Sequence, residues 1–135
     1  MSIQNWGPVR DCMQTNVVEV DGRLDVLQAL KVMKRESTTS LIVKRRDEQD
    51  EYGLVLFSDI AKKVIAQNRA PERVNVYEIM AKPVLMVRPD MEIRYCARMF
   101  ENFGISHAPV AENGNIIGMV SYYRLVIHGL PDLDE

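Results

Sequence analysis

The hydrophobic pattern of this chain is written twice in the same order. When the sequence is displaced against itself, apolar residues fall on apolar residues at one common offset. The matched pairs are Val9 with Val76, Met13 with Met80, Val17 with Val84, Val20 with Val87 and Val43 with Val110. Further along, at a slightly shorter offset, Gly53 falls on Gly118, Val55 on Val120 and Ile60 on Leu125. Self-similarity of this kind indicates a tandem repeat of one small folding unit.

Each copy predicts a short strand, a helix, two further strands and a closing helix. The helices are assigned from apolar residues that recur on one face, and the strands from short apolar runs. The first copy predicts a strand at 17–20, a helix with Val26, Leu30 and Met33 on one face, strands at 41–44 and 52–57, and a helix at 58–67. The second copy predicts a strand at 84–87, a helix with Ile93, Cys96, Ala97 and Phe100 on one face, strands at 108–111 and 115–121, and a helix at 122–128.

Residues typical of turns separate the predicted helices and strands. Pro89 suits the start of the second long helix and Gly104 its end. Asn113-Gly114 predicts a two-residue type I′ hairpin, because both central positions of that turn need a positive φ. The polar stretch 68–75 is the predicted linker between the copies.

The fold class that follows is α/β in the mixed α+β sense, with two βαββα repeats packed in pseudo-twofold symmetry. We expect residues 1–70 to form the first repeat with an N-terminal segment, and residues 71–135 the second with a C-terminal tail. A unit of roughly 60 residues buries too little surface to be robust alone, so the copies should pack face to face. Such pairing would leave two related clefts, and clefts are common ligand sites.

Composition narrows the function. The formal net charge is -2 and the pI about 5.7, which gives no basic excess for nucleic-acid binding. Cys12 and Cys96 are far apart in sequence, with neither a CxxC motif nor a histidine pair nearby, so we expect reduced thiols and no metal site. The sequence has no apolar run of transmembrane length, which favours a cytoplasmic protein with no membrane association.

With its repeat described, the chain resembles the CBS domain pair, named after cystathionine beta-synthase and also called a Bateman module. The resemblance runs from Val9 to Ile127. Its marks are the methionines before each first strand, the segment from Gly104 to Val110, and a motif of the form Gly-h-h-Thr/Ser-x-x-Asp, where h is apolar. The resemblance implies a regulatory module that binds AMP, ADP, ATP or S-adenosylmethionine and acts on a separate, unknown target protein. It also implies a homodimer that associates through exposed helices, and no required cofactor.

The candidate ligand-binding residues come from the positions that this resemblance implies. They are Thr15, Asn16, Val17, Ser58, Asp59, Lys82, Val84, Ser106, His107, Ala108, Ser121 and Arg124. An acid of the motif would accept hydrogen bonds from ribose hydroxyls, while a hydroxyl or cation would meet phosphate.

Each copy keeps only half of the motif. The first has Asp59 but Leu56 in place of the hydroxyl, and the second has Ser121 but Arg124 in place of the acid. Arginine cannot accept a bond from ribose, although it can bind phosphate.

Every candidate also has a purely structural interpretation. Ser58 as N-cap and Asp59 in the first turn would stabilise a helix start. His107 could be a half-buried strand residue, and Arg124 a solvated helix position or a dimer contact. The charged loop 44–51 carries both signs of charge, which favours a solvated hairpin over an anion site.

We do not expect an enzyme, because the sequence shows no phosphate loop, HExxH motif or nucleophile elbow. A ligand-free dimerisation or interaction scaffold is the alternative that the incomplete motifs leave open. The regulatory pair of a larger enzyme complex is a third.

Overall fold

The computed structural model describes residues 6–130, which form two compact α+β units. The first unit is Val18–Val84. The second unit combines residues 6–17 with residues 85–130. Residues 1–5 and 131–135, the outermost parts of the expected domains 1–70 and 71–135, lie outside the described residues.

The first unit contains a three-stranded sheet and two helical segments. Its elements are β1 (Glu19–Val20), α1 (Val26–Glu36), β2 (Ser40–Val43), β3 (Gly53–Leu56) and α2 (Phe57–Ile60), which continues as a π-helical turn, Ala61–Ile65. Strand β2 is central, parallel to β1 and antiparallel to β3. All four residues of β2 are buried, so this strand forms the middle of the core.

Helix α1 begins and ends at residues with clear capping roles. The Asp25 carboxylate accepts a hydrogen bond from the Gln28 amide, and the Gln28 side chain accepts one from the Asp25 amide, which completes a capping box. Ser37 ends the helix in the left-handed conformation, with φ of 52°. Val26 and Met33 lie on the face that packs into the core.

The second unit repeats this order with a smaller sheet. Its elements are α3 (Ile93–Phe103), β4 (His107–Glu112), β5 (Asn115–Ser121) and α4 (Tyr122–Ile127). The strand expected at 84–87 is reduced to a single parallel bridge between Val87 and Val110. That bridge has the same place as the pairing of Val20 with Val43 in the first unit.

Two of the three turn predictions are confirmed. Asn113 and Gly114 both have positive φ, 54° and 80°, and join β4 to β5. Gly104 ends α3 with φ of 64°. The prediction for Pro89 is wrong, because α3 begins at Ile93 and Pro89 is buried in the turn before it, where its carbonyl accepts the Arg10 amide at 3.0 Å.

Each compact unit is completed by the segment that opens the other sequence repeat. In the second unit, the amide and carbonyl of Gln14 exchange hydrogen bonds of 2.8 and 2.9 Å with Met119 of β5. In the first unit, Ala81 exchanges bonds of 2.9 and 3.0 Å with Leu54 of β3. The compact units and the sequence repeats therefore divide the chain differently.

The stretch predicted as a linker is part of this arrangement. Short 3₁₀ helices at Pro71–Arg73 and Val76–Glu78 follow the first unit's closing helical segment. Val74, inside the predicted linker, is 2% exposed and belongs to the first unit's core. The linker prediction is thus wrong for this residue, since polar composition on either side concealed one apolar anchor.

The methionine and the glycine that recur in the two sequence repeats are in contact with each other. A Cβ on Gly118 would lie 2.6 Å from the Met13 sulfur, and a Cβ on Gly53 would lie 2.6 Å from the Met80 sulfur. Because no side chain fits there, glycine lets the methionine pack directly on the last strand. This contact explains why both residue types recur together in the sequence.

Both cysteines are free and lie in the second unit's core. Burial raises the pKa of the Cys12 thiol to about 11. Burial also raises the pKa of Cys96, to about 12, with a further contribution from Cys12. Neither thiol therefore has the thiolate character that a reactive cysteine needs.

Phe100 is the largest fully buried side chain of the second unit. It packs edge-on against Tyr122 with ring centroids 5.2 Å apart, which joins α3 to the start of α4.

We expect Phe100→Ala to lower the free energy of unfolding by about 3–5 kcal/mol, because it leaves a cavity in a closed core. Phe103, on the same helix, is 62% exposed, so Phe103→Ala should change that free energy by only about 0.5 kcal/mol. Urea denaturation followed by circular dichroism measures both values. Equal effects of the two variants would contradict this account of the core.

Candidate functional site

The twelve candidate ligand-binding residues fall into two groups, one in each compact unit. The first unit holds Ser58, Asp59, Lys82 and Val84. The second unit holds Thr15, Asn16, Val17, Ser106, His107, Ala108, Ser121 and Arg124.

In the second unit, three polar candidates meet where β5 passes into α4. His107 lies directly opposite Ser121 in the antiparallel register of β4 and β5. The Ser106 hydroxyl is 2.8 Å from His107 Nδ1, and the Ser106 carbonyl accepts the Tyr122 amide at 3.2 Å. Two hydroxyls and an imidazole are therefore held together where β4 begins and β5 ends, and all three residues are only partly buried.

Arg124 is adjacent, and its guanidinium is bonded to the main chain. Nε donates to the Cys12 carbonyl at 2.8 Å and Nη2 to the Met13 carbonyl at 3.2 Å. These bonds hold the chain just after the 3₁₀ helix Val9–Asp11. The group carries more N–H donors than the two bonds use, so it retains the capacity to meet an anion.

The remaining candidates of the second unit differ in exposure. Thr15 and Asn16 are exposed and Val17 is half-buried. They follow the bridge at Gln14, whose side-chain amide donates to the Asn16 carbonyl at 3.3 Å. Ala108, in contrast, is fully buried and packs in the core.

In the first unit, Asp59 is the third residue of α2 and bonds back to the helix start. Its Oδ2 accepts the Leu56 amide at 2.9 Å, and its Oδ1 lies 3.9 Å from Lys63 Nζ. The side chain remains 21% exposed.

The structural interpretation of Ser58 as N-cap is wrong. The helix begins at Phe57, so Leu56 occupies the N-cap position and Ser58 lies exposed in the first turn.

The two half motifs are the two halves of a capping box. In a complete box, the N-cap hydroxyl accepts the N3 amide, and the N3 side chain accepts the N-cap amide. Ser121 performs the first role by accepting the Arg124 amide at 3.2 Å. Asp59 performs the second. Each closing helix thus keeps one of the two bonds, and each retained residue has a structural duty beside any role with a ligand.

A second pair of related contacts was not foreseen from the sequence. Lys63 Nζ donates to the Ile79 carbonyl at 3.0 Å, just after the 3₁₀ helix Val76–Glu78. Arg124 does the same for Cys12 in the second unit. The two cations occupy different positions of their helices, which is why the alignment of repeats did not reveal their shared function. Each satisfies a carbonyl that the end of a 3₁₀ helix leaves open.

Lys82 is tied to the charged loop between β2 and β3. Its ammonium lies 2.7 Å from Asp50 Oδ1, and the two side chains are 23% and 7% exposed. Asp50 also accepts hydrogen bonds from the Arg46 amide and guanidinium. The bonds from Arg46 and then Lys82 hold the pKa of Asp50 far below its usual range. Val84, two residues after Lys82 in the chain, is half-buried.

Within residues 6–130, no cluster of three or more histidine, cysteine or acidic side chains is arranged to bind a metal. In the same range, we find no helix with the length and hydropathy to cross a bilayer.

Comparison with known proteins gives a consistent result. The family model of the CBS domain matches residues 9–66 and 76–129. A homoserine O-acetyltransferase from Methanosalsum zhilinae is 34% identical over 113 residues, which cover 83% of this chain and 22% of the enzyme. The chain spans about half the length, or less, of the first curated relatives that it matches.

Solved structures show the same fold. A hexameric CBS-CP12 protein from bloom-forming cyanobacteria is 38% identical with a TM-score of 0.88, covering 90% of this chain and 70% of that one. A CBS domain pair in complex with 5′-methylthioadenosine and S-adenosyl-L-methionine is 22% identical with a TM-score of 0.74, covering 87% of this chain and 91% of that one.

We expect Asp50→Asn to lower the melting temperature at neutral pH, because the neutral amide weakens the bonds to Arg46 and Lys82. A carboxyl whose folded-state pKa is depressed contributes stability above its unfolded pKa, about 3.9, and loses it as the pH falls towards the folded value. The difference in melting temperature between wild type and variant should therefore be largest at neutral pH and shrink below about pH 4. Circular dichroism melts over this range measure it.

The matched control is Asp47→Asn in the same loop, whose carboxylate accepts only the Gln49 amide among the described residues. It should alter the melting temperature less than Asp50→Asn does. Indistinguishable pH profiles for the two variants would show that Asp50 has no special role.

Proposed function

Because the chain belongs to the CBS domain family and carries two copies of that domain, we propose that it is a regulatory module that senses an adenine-containing small molecule. The ligand class comprises AMP, ADP, ATP and S-adenosylmethionine. Occupancy of the module would bias its conformation and so alter the activity of a separate partner protein.

The observation that carries this proposal is the grouping of Ser106, His107 and Ser121 at the start of α4. Hydroxyl and imidazole groups both donate and accept hydrogen bonds, which suits ribose and the polar edge of a purine. Strand pairing and a side-chain hydrogen bond hold these three residues together at the same end of the sheet, so they would bind a ligand without a rearrangement of the backbone. Preorganisation of this kind lowers the entropic cost of binding.

Charge at the candidate sites supports the same ligand class. Arg124 borders the polar group and offers unused N–H donors to a phosphate or carboxylate. In the first unit, Asp59 retains exposed acceptor capacity that fits the two hydroxyls of a ribose. Each unit thus carries, at its own candidate site, a different part of the family motif.

The relatives support the class of ligand. The CBS domain pair solved with S-adenosyl-L-methionine and 5′-methylthioadenosine has a similar fold. The matched portion of the homoserine O-acetyltransferase is 22% of that enzyme's length. A domain pair that occurs as a small part of a larger protein fits a regulatory role better than a catalytic one.

A ligand-independent interaction scaffold is the second candidate, and a specific observation favours it. Asp59 and Arg124, the two charged residues of the half motifs, are both bonded to main-chain groups. Those bonds account for their presence without any ligand.

We also propose that copies of the chain associate through α4. Tyr123 and Val126 lie one helical turn apart on this helix and are 64% and 59% exposed. Two large apolar side chains on one exposed face are favourable to bury in a contact between copies.

The ligand proposal predicts that one or more of AMP, ADP, ATP and S-adenosylmethionine raises the melting temperature of the wild-type protein. A ligand at a hundredfold excess over its Kd adds about 2.7 kcal/mol to the folded state. Asp59→Asn should weaken that ligand about tenfold in isothermal titration, because the loss of a charged acceptor costs about 1.5 kcal/mol or more. The amide oxygen can still accept the Leu56 amide, so the fold is retained.

Asp25→Asn is the matched control, because Asp25 is also bonded to a helix-start amide and lies in the same unit. It should leave the Kd unchanged. No melting shift with any of the four compounds at millimolar concentration would overturn the sensing proposal and favour the scaffold.

Self-association predicts that Val126→Lys shifts the sedimentation coefficient at micromolar concentration towards that of a monomer. The cause is the cost of placing a charge in an apolar contact. Leu27→Lys, at an exposed apolar position of α1, should leave the sedimentation coefficient unchanged. A wild-type protein that sediments as a monomer would refute the proposed contact.

A further inference from the structure

The first unit contains a cavity of about 690 Å³ whose composition the family motif does not explain. Its lining residues are Asp21, Gly22, Arg23, Val43, Lys44, Arg45, Arg46, Tyr77, Met80 and Lys82. All of them belong to Val18–Val84. The volume falls within the range of small-molecule sites, roughly 300–1,000 Å³.

Three segments of the first unit build the walls. One is the turn after β1, the second is the end of β2 with the charged loop, and the third is the 3₁₀ helix Val76–Glu78 with the residues after it. The Tyr77 amide donates to the Gly22 carbonyl at 2.9 Å, and the Lys44 amide donates to the Val20 carbonyl at 2.9 Å. Main-chain hydrogen bonds therefore hold the three segments of the cavity wall together.

This cavity lies at the opposite end of β2 from Asp59. Strand β2 runs from Ser40 to Val43, and in the antiparallel register Ser40 faces Leu56 while Val43 faces Gly53. Asp59 bonds to Leu56, at the Ser40 end. The cavity instead takes in Val43 and the residues that follow it. Lys82 is the one candidate ligand-binding residue that also lines it.

Half of the lining residues are cationic, and two of these cations form no salt bridge within residues 6–130. Arg23 is paired with Asp21, whose pKa its hydrogen bonds lower to about 2. Arg46 and Lys82 share Asp50.

Lys44 and Arg45 form no salt bridge with any residue between 6 and 130. Arg45 instead stacks over the ring of Tyr52, 4.9 Å from its centroid. Lys44 is near enough to Asp21 to contribute to the lowered pKa of that carboxyl.

The charges of the 44–51 loop are grouped along the sequence, with three cations at 44–46 before the four acids within 47–51, and only the cations line the cavity. Its basic residues line the cavity, whereas Asp47, Glu48 and Glu51 are exposed and are not among the lining residues. Asp50 is occupied by two cations. A solvated hairpin would not need this segregation, and the excess positive charge favours an anion.

The rest of the lining is apolar or aromatic. Val43 and Met80 provide apolar surface, and Tyr77 is 52% exposed. A ligand that fits both parts carries clustered negative charge and a planar or apolar group.

We propose that this cavity binds a small molecule with a diphosphate or longer phosphate chain, with the phosphates at Lys44 and Arg45 and an attached planar group against Tyr77. Apart from Lys82, the lining of this site is separate from the adenine-sensing positions, and it would give the first unit an input of its own. Ammonium and guanidinium groups that form no salt bridge make strong charge-assisted bonds with phosphate oxygens.

Isothermal titration with pyrophosphate at about 0.15 M ionic strength, where the Debye length is about 8 Å, tests the cationic part of the lining. We expect saturable binding to wild type, and a Kd at least about tenfold higher for the double variant Lys44→Gln with Arg45→Gln, because each lost charged bond costs about 1.5 kcal/mol or more. Both side chains are exposed, so the variant should fold normally.

The matched control is Lys31→Gln with Lys34→Gln, which removes two exposed cations from α1 of the same unit. It should change the Kd by less than about twofold, because neither lysine lines the cavity and the charges of exposed side chains are screened at this ionic strength. Equal weakening by the two double variants would show diffuse attraction to surface charge and overturn the proposal. So would no saturable binding to wild type at millimolar pyrophosphate.

Uridine diphosphate tests the planar half, since it carries a diphosphate and a base that is not adenine. It should bind more tightly than pyrophosphate, and Tyr77→Ala should remove that advantage while leaving the pyrophosphate Kd unchanged. A uridine diphosphate affinity no greater than that of pyrophosphate would refute the role of Tyr77.

Asp59→Asn should leave the pyrophosphate affinity unchanged. The failure of this proposal and the failure of adenine sensing would therefore be observed separately. Weaker pyrophosphate binding by Asp59→Asn would place the anion at the wrong end of the sheet and overturn the site.

Discussion

The rest of the structure depends on main-chain pairing between the last strand of each unit and the segment that opens the other repeat. Gln14 pairs with Met119 and Ala81 with Leu54, in each case through two hydrogen bonds. Glycines at 53 and 118 make the approach possible, because a side chain there would collide with a methionine of the incoming segment. The segments therefore dock as part of each core, and Val76 and Val9 are fully buried within it.

The docked segments contain main-chain carbonyls that need hydrogen-bond partners, and side chains of the closing helical segments supply them. A 3₁₀ helix leaves carbonyls open at its end, and a buried open carbonyl is costly. Arg124 satisfies two in the second unit, and Lys63 satisfies one in the first. The cations of the closing helices are thus committed first to the fold, and any ligand must use what capacity remains.

The residues of the family motif likewise combine a structural role with a binding role. Thr/Ser-x-x-Asp is at once a ligand-binding pattern and a capping box, so one pair of residues can hold the helix start and face a small molecule. Here Ser121 and Asp59 each retain half of it. A closing helix can begin with only one of the two bonds, which lets the two units diverge in charge while they keep the same architecture. The divergence gives the units different surfaces, with an arginine at the position in one that holds an aspartate in the other.

Local physics made much of the fold predictable from the sequence. Period and turn chemistry predicted α1, α3, the β4–β5 hairpin and the left-handed residues at Asn113, Gly114 and Gly104, because these depend on residues close in the chain. The order of apolar residues also indicated the repeat, and the resemblance of its motifs indicated the family. Tertiary structure alone decided which unit is completed by the segment that opens each repeat. It also decided that Val74 is a core residue and which groups Arg124 and Lys63 bind, since these contacts join residues far apart in the sequence. The tertiary structure further decided that only the cations of the 44–51 loop line the cavity, because the sequence groups these charges by sign but does not specify which side chains face the cavity.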